Sequence, residues 1–200
     1  MITLEDPIVY SFSNTSDGMV SQRQRGETFV AFPEGIRDAL HQYPDVVVVD
    51  EIRDADTVRA ILDAAQAGCL VLGTLHTFGV ACTVAHILSL FDVSEQDEVR
   101  HQLALVLRGC TSQLLLPSAG GFGRTAAFET LSWTPEVAQH IRRPGGENMF
   151  GGLAKNTPDS AVISIDYALA TLVVSGTVDL PDARRAVRDV ASFDQLVETL

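Results

Sequence analysis

The stretch "VVVVDEIRD", Val46 to Asp54, limits the architecture of this chain more than any other feature. Consecutive β-branched residues with no polar alternation read as a strand covered on both faces, the pattern of a parallel sheet in an α/β protein. The run ends at once in Asp50 and Glu51, at the strand's carboxyl end, which is the edge where open α/β sheets bind ligands. Two readings of this pair stand level on these residues alone. In one, the carboxylates leave the core and cap the next helix, because acidic groups favour helix N-termini. In the other, the strand is a Walker B strand, with Asp50 holding the magnesium of a nucleotide and Glu51 polarising the attacking water.

Neighbouring segments repeat the pattern. "MITLEDP" is a short apolar strand ending in Glu5 and Asp6, and the polar stretch after it, through Gly26, suits loops or short hairpin strands. "FPEGIRDALHQYPD" reads as a helix closed before Pro44. In "DADTVRAILDAAQAG", Asp54 is a candidate cap, and Val58, Ile61, Leu62 and Ala65 recur at helical spacing until Gly68. "CLVLGTLHT" is a second continuous apolar strand, ending in Thr74, His76 and Thr77. Three strands thus deliver polar groups to one edge.

Downstream, "GVACTVAHILSLF" and "SEQDEVRHQLALVLRG" read as helices, "CTSQLLLP" as a third buried strand and "GRTAAFETL" as another strand after a glycine-rich turn. From Thr134 on, amphipathic helices in "TPEVAQHIRR", "SIDYALATLVVSG" and "LPDARRAVRDV" are separated by Pro and Gly, with no strand expected between them. The expected division is residues 1–133 as an α/β core and 134–200 as a small helical subdomain.

With 46% hydrophobic and 20% charged residues among 200, the chain has enough apolar material for a packed core. A net charge of -12 argues against nucleic acid or an anionic membrane as the main partner. No signal peptide is recognisable, and no apolar run reaches the ~18 residues of a membrane span, so the protein is expected to be cytoplasmic. Cys69, Cys82 and Cys110 lack any C-x-x-C spacing and read as reduced core thiols. His76, His86 and His101 do not share a helical turn, which speaks against zinc.

Taken in order, "ITLEDPI", "PDVVVVDEIRD", "GCLVLGTLHT" and "VRHQLALVLRGCTSQLLLP" resemble the secretion and pilus motor ATPases, in particular the type IV pilus retraction (twitching motility) ATPases and their type II secretion relatives. The resemblance covers nearly the whole chain and weakens after about Arg143. It implies a RecA-like P-loop NTPase fold, α/β with a mostly parallel, three-layer sheet, here truncated. It also implies ATP and Mg2+ as ligands and a cytoplasmic hexamer of motor ATPase subunits, peripheral at the inner membrane and engaged with a platform protein of a pilus or secretion machine. By the same resemblance, Glu5 and Asp6 belong to an Asp box facing the γ-phosphate, with Glu5 a candidate general base. Asp50 and Glu51 occupy the Walker B position, Asp50 toward magnesium. Thr74 and His76 lie in the His box, with His76 sensing the γ-phosphate. Arg23 and Arg37 match arginines near the nucleotide or subunit boundary, where planar guanidinium groups suit phosphate. As bare residues, the two arginines read as solvated surface charges and His76 as a histidine satisfied by strand-end backbone.

The chain also departs from the family. Asp50 stands where relatives usually have Gly, Cys69 replaces the first His-box histidine, and His41 and His86 replace arginines. The 200 residues contain no GxxxxGK[ST], the loop whose N–H groups, Lys and hydroxyl hold phosphates and magnesium; the one lysine is Lys155, far downstream. The expectation is that the sequence starts after the family's P-loop helix and lacks its PAS-like domain. Without the central strand that leads into the P-loop, either sheet groups stay unpaired or "TSQLLLP" closes onto "LVLGT". Two function classes follow: the catalytic portion of a motor ATPase that works with a P-loop segment, or a non-catalytic interaction protein that modulates a full-length motor hexamer. A helicase is a weaker third reading.

Overall fold

The computed structural model describes residues 1–14, 18–154, 157 and 160–200; Lys155 lies outside the described residues. Contacts gather into two compact units, Met1–His76 with Ile87–Val106, and Thr77–His86 with Leu107–Leu200.

The first unit holds a four-stranded parallel sheet of β1 (Ile2–Glu5), β2 (Ser21–Gln24), β3 (Val46–Val49) and β4 (Leu70–Gly73), in the order β2-β1-β3-β4. Every pairing in it is parallel. Helices α1 (Phe32–Leu40) and α2 (Ala55–Gln66) close one face. Ile2, Leu4, Val47 and Val49 pack there against Phe29, Phe32, Ile36 and Ala39 around α1 and against Ala60 and Ala64 of α2. Asp54 caps α2 as expected, its carboxylate accepting from the Thr57 N–H at 2.7 Å, an interaction worth about 1 kcal/mol.

Three expectations for this sheet are corrected. The polar stretch after Pro7 does not make a hairpin strand: β2 returns parallel to β1, which the long intervening connection allows. The valine run is not equally covered on both faces, since Val47 and Val49 are fully buried while Val46 and Val48 are only half-buried. β4 is not a buried strand: it is the sheet edge among the described residues, and Leu70 and Leu72 are 48% and 50% exposed. The strand composition matches two-sided burial, but α1 and α2 cover one side only.

α3 (Val80–Ser89) and α4 (Val93–Val106) follow. The second unit contains an antiparallel sheet, β5 (Gly109–Pro117), β6 (Arg124–Ser132) and the short β7 (Val162–Ile163), in that order. "CTSQLLLP" is therefore neither a buried parallel strand nor a neighbour of "LVLGT": β5 pairs with β6 across the glycine-rich turn, and most of its residues are exposed or half-buried. The turn is short enough to close a hairpin, and the local pairing wins. Then come α5 (Pro135–Arg142, capped by Thr134), a 3-10 helix (Gly146–Leu153), α6 (Ile165–Val174), α7 (Leu180–Arg184) and α8 (Val190–Thr199). β7 is a strand where only helices were expected, and "LPDARRAVRDV" is helical at Leu180–Arg184 and again only at Val190, where α8 begins.

The core of this unit joins Leu116 and Ala127 of the hairpin to Ile165, Leu169, Ala170, Ala183 and Phe193 of the helices. That packing groups the hairpin with the C-terminal helices, a division unlike the one drawn at residue 133, where the strand signals end. Cys69 and Cys110 are half-buried and burial pushes both thiols up, whereas Cys82 is exposed and so is not a core thiol. Among the described residues, no helix is long and apolar enough to cross a membrane.

Candidate functional site

The carboxyl ends of β1, β3 and β4 lie side by side in the first unit, and the polar residues that follow each strand meet there. Register sets the arrangement: Leu4 pairs with Val49, and Val49 with Gly73, so Glu5, the last residue of β1, stands level with Asp50 and Thr74, the first residues past β3 and β4. The Asp50 N–H donates to the Leu4 carbonyl at 2.9 Å and the Thr74 N–H to the Val49 carbonyl at 3.2 Å, continuing both ladders past the strands.

Asp50 sits between its neighbours. One carboxylate oxygen lies 3.4 Å from the Asp6 N–H and the other 3.4 Å from the Thr74 hydroxyl. Both contacts are long, leaving lone pairs on each oxygen for a stronger partner.

Glu51 adopts φ +59°, the left-handed region that residues other than glycine occupy uncommonly. Its surroundings enforce the turn. The Glu51 N–H donates to the Thr74 hydroxyl at 2.9 Å, the Ile52 N–H donates to the Thr74 carbonyl at 2.8 Å, and the buried Ile52 side chain fills the space where a Cβ on Gly73 would stand, 2.6 Å away. Gly73 thus permits the close approach that swings Glu51 outward. The carboxylate there pairs with Arg53 and lies 3.5 Å from His76 Nε2. The Arg53 hydrogen bond holds the Glu51 carboxyl below its ordinary value of 4.5, with smaller help from His76 and against the opposing effect of desolvation. The His76 side chain is 85% exposed, so it is not a histidine buried against strand-end backbone.

Glu5 is fixed from its own sheet. Its Oε1 accepts from the Thr3 hydroxyl at 2.5 Å and from Gln22 Nε2 at 2.9 Å. Asp6 pairs with Arg25 at 3.2 Å. Arg23 falls in register with Leu4, on the sheet face opposite Thr3 and Glu5, and Arg37 is exposed on α1. The structure therefore brings Glu5, Asp6, Asp50, Glu51, Thr74 and His76 to one edge and leaves Arg23 and Arg37 outside that cluster. Thr3, Gln22, Arg25 and Arg53 are the partners that sequence reasoning missed. The all-polar "SQRQRG" forms β2, and which of its residues faces Glu5 depends on the parallel register.

Among the described residues, no group of three His, Cys, Asp or Glu side chains is spaced to hold a metal by itself. Asp50 with the Thr74 hydroxyl offers hard oxygen donors, and this fits magnesium, which keeps several waters and takes one or two carboxylates plus phosphate oxygens.

The family profile described as "Type II/IV secretion system protein" matches residues 1–145. The chain is 33% identical over 193 residues to the "Type IV pilus retractation ATPase PilT" of Pseudomonas aeruginosa, covering 96% of this chain and 55% of that protein. It is likewise 33% identical over 193 residues to a "Twitching motility protein" of Neisseria gonorrhoeae, covering 96% of this chain and 51% of the relative. Among solved structures, "Crystal Structure of the Pilus Retraction Motor PilT and Bound ADP" superposes with a TM-score of 0.86 at 35% identity, over 98% of this chain and 54% of that one. The chain spans about half the length of these relatives. The mostly parallel α/β sheet is thus that of the pilus motor core, and the chain belongs to the type II/IV secretion system protein family of motor ATPases.

Proposed function

We propose that this chain supplies the Asp-box, Walker B and His-box portion of a motor ATPase that couples ATP hydrolysis to pilus retraction and twitching motility or to type II secretion. The observation that carries the reading is the convergence of Glu5, Asp50, Glu51, Thr74 and His76 at the carboxyl edge of one parallel sheet. Asp50 and Thr74 would hold magnesium, which neutralises charge on the phosphates when bound. Glu5, with one oxygen engaged by Thr3 and Gln22, orients the other toward a water and accepts its proton. Glu51 and His76 form a contact that an arriving γ-phosphate disturbs, since the phosphate competes for His76 and for Arg53. Arg23 and Arg37, away from this cluster, would meet nucleotide from another subunit of a hexamer. The half-exposed apolar side of β4 supports a further part: a strand and P-loop segment completes the sheet beside Leu70 and Leu72. The working assembly is then cytoplasmic and peripheral at the inner membrane, against a platform protein.

Calorimetric titration of a non-hydrolysable ATP analogue with magnesium into the 200-residue chain tests the site. Binding that is lost in Asp50→Asn supports the reading. Binding of equal strength in Asp50→Asn and Glu51→Gln would move the nucleotide elsewhere.

A further inference from the structure

Gln22 lies on β2, on the same sheet face as Thr3 and Glu5, and nearly all the hydrogen-bonding capacity of its carboxamide is used at once. Nε2 donates to Glu5 Oε1 at 2.9 Å and to the Tyr10 carbonyl at 2.8 Å, while Oε1 accepts from the Phe12 N–H at 2.7 Å. A primary amide has two N–H donors, and both are spent. The Thr3 hydroxyl takes the other lone pair of Glu5 Oε1, so among the described residues both donors to this carboxylate converge on one oxygen and none reaches Oε2.

The segment held at the other end is unusual. Val9, Tyr10 and Phe12 are 87%, 69% and 48% exposed, and the Tyr10 and Phe12 rings meet edge to face at 5.2 Å between centroids. So apolar a loop has little core of its own. Its backbone is held by side chains of β2, with Gln24 Oε1 accepting the Ile8 N–H at 3.0 Å beside the Gln22 contacts.

We propose that Gln22 is a positioning residue for Glu5: it orients the carboxylate so that Oε1 is consumed within the fold and Oε2 is presented at the sheet edge, and it ties that orientation to the Tyr10–Phe12 loop. This rests on the reading of Glu5 as a nucleotide-facing base. A displacement of the loop reaches the Glu5 carboxylate through the Gln22 side chain, because the amide cannot keep its bonds to the Tyr10 carbonyl and the Phe12 N–H and also hold Glu5 in place once the loop shifts.

The test follows the Glu5 carboxyl carbon by NMR in the full chain labelled with 13C-glutamate, assigned by its disappearance in Glu5→Gln. Gln22→Met keeps the length of the side chain but removes the donor; it is expected to shift the Glu5 carboxyl resonance and the Phe12 amide together, with a cooperative thermal melt retained. In the unaltered fold, Glu5→Ala is expected to shift the Gln22 side-chain amide protons, which keeps the proposal testable if Gln22→Met fails to fold. Gln22→Asn, one methylene short, is expected to leave Glu5 as in Gln22→Met. An unmoved Glu5 resonance in Gln22→Met, or unmoved Gln22 amide protons in Glu5→Ala, would overturn the proposal. Adding an ATP analogue with magnesium to the wild-type chain separates the two claims: a Glu5 resonance that ignores nucleotide but responds to Gln22→Met retains the positioning contact and removes the nucleotide reading.

Discussion

Two acidic regions of this molecule are handled in opposite ways. In the second unit, Glu129 is 4% exposed and fully partnered: Arg188 grips it with two bonds of 2.9 and 2.7 Å, and the Val80 N–H adds a third at 3.2 Å. Arg188 is itself fixed, its guanidinium 5.1 Å from the centre of the Phe78 ring and its N–H held by Asp166 at 2.8 Å. In the first unit, Glu5, Asp6, Asp50 and Glu51 stand together at a strand edge, part-exposed, with the Asp50 carboxylate holding, among the described residues, only contacts of 3.4 Å and Glu51 in a left-handed backbone. Glu129 meets the demand that a buried charge be paired and bonded. At the edge only Asp6 and Glu51 are paired, with Arg25 and Arg53, both on exposed surface, while Glu5 and Asp50 have no cationic partner among the described residues.

The sharpest way to break this comparison is to remove one partner of the buried pair. Arg188→Ala strands a carboxylate in the interior and is expected to lower stability by about 3 kcal/mol, the low end for such pairs because Arg188 is partly exposed. Chemical denaturation measures it, and a loss near zero would make Glu129 no different from the edge group. Gly79→Ala comes next. With φ at +92° and the ideal Cβ 2.1 Å from Arg188 Nη2, the alanine is strained and displaces the guanidinium, for an expected cost of about 2 kcal/mol. The edge should answer with the opposite sign. Glu51→Gly relieves a left-handed side chain while removing the Arg53 pair, so its thermal midpoint is expected to hold or rise slightly, as at a site where strain is kept for function.

The smallest expected effect is in pH. The folded Glu51 carboxyl titrates below 4.5, so its contribution to stability is fully present above that value and is lost as pH falls through the lower folded value. The acid limb of the stability profile is expected to flatten in Glu51→Gln, and an unchanged limb would remove the Arg53 contact.

Much of this contrast is legible in the residues, and the illegible part has a physical cause. The Asp54 cap, the α2 periodicity and the valine run ending in "DE" are local signals, carried by neighbours within a turn or a strand. The convergence of "ITLED", "VVVVDE" and "LVLGTLHT" follows from parallel strands sharing one carboxyl edge. Two-sided burial of β4 and β5 does not follow, because composition reports what a strand tolerates and not how many faces are covered. The β5–β6 hairpin was masked by the apolar "QLLLP", which imitates a parallel core strand. Gln22 carried no signature, since a neutral glutamine among polar neighbours becomes informative only once the β1–β2 register sets it beside Glu5. Glu129 was equally silent, its partner Arg188 lying 59 residues away.

The central claim is that the sheet edge carrying Glu5, Asp50, Glu51, Thr74 and His76 faces a nucleotide. Backbone amide shifts of the 15N-labelled chain, followed as a non-hydrolysable ATP analogue and magnesium are added to millimolar concentration, test it most directly, because weak binding is still visible residue by residue. The account predicts saturable shifts centred on Glu5–Asp6, Asp50–Glu51 and Thr74–His76, abolished in Asp50→Asn. An edge whose amides stay still at saturating nucleotide, or shifts confined to the hairpin and the C-terminal helices, would contradict it.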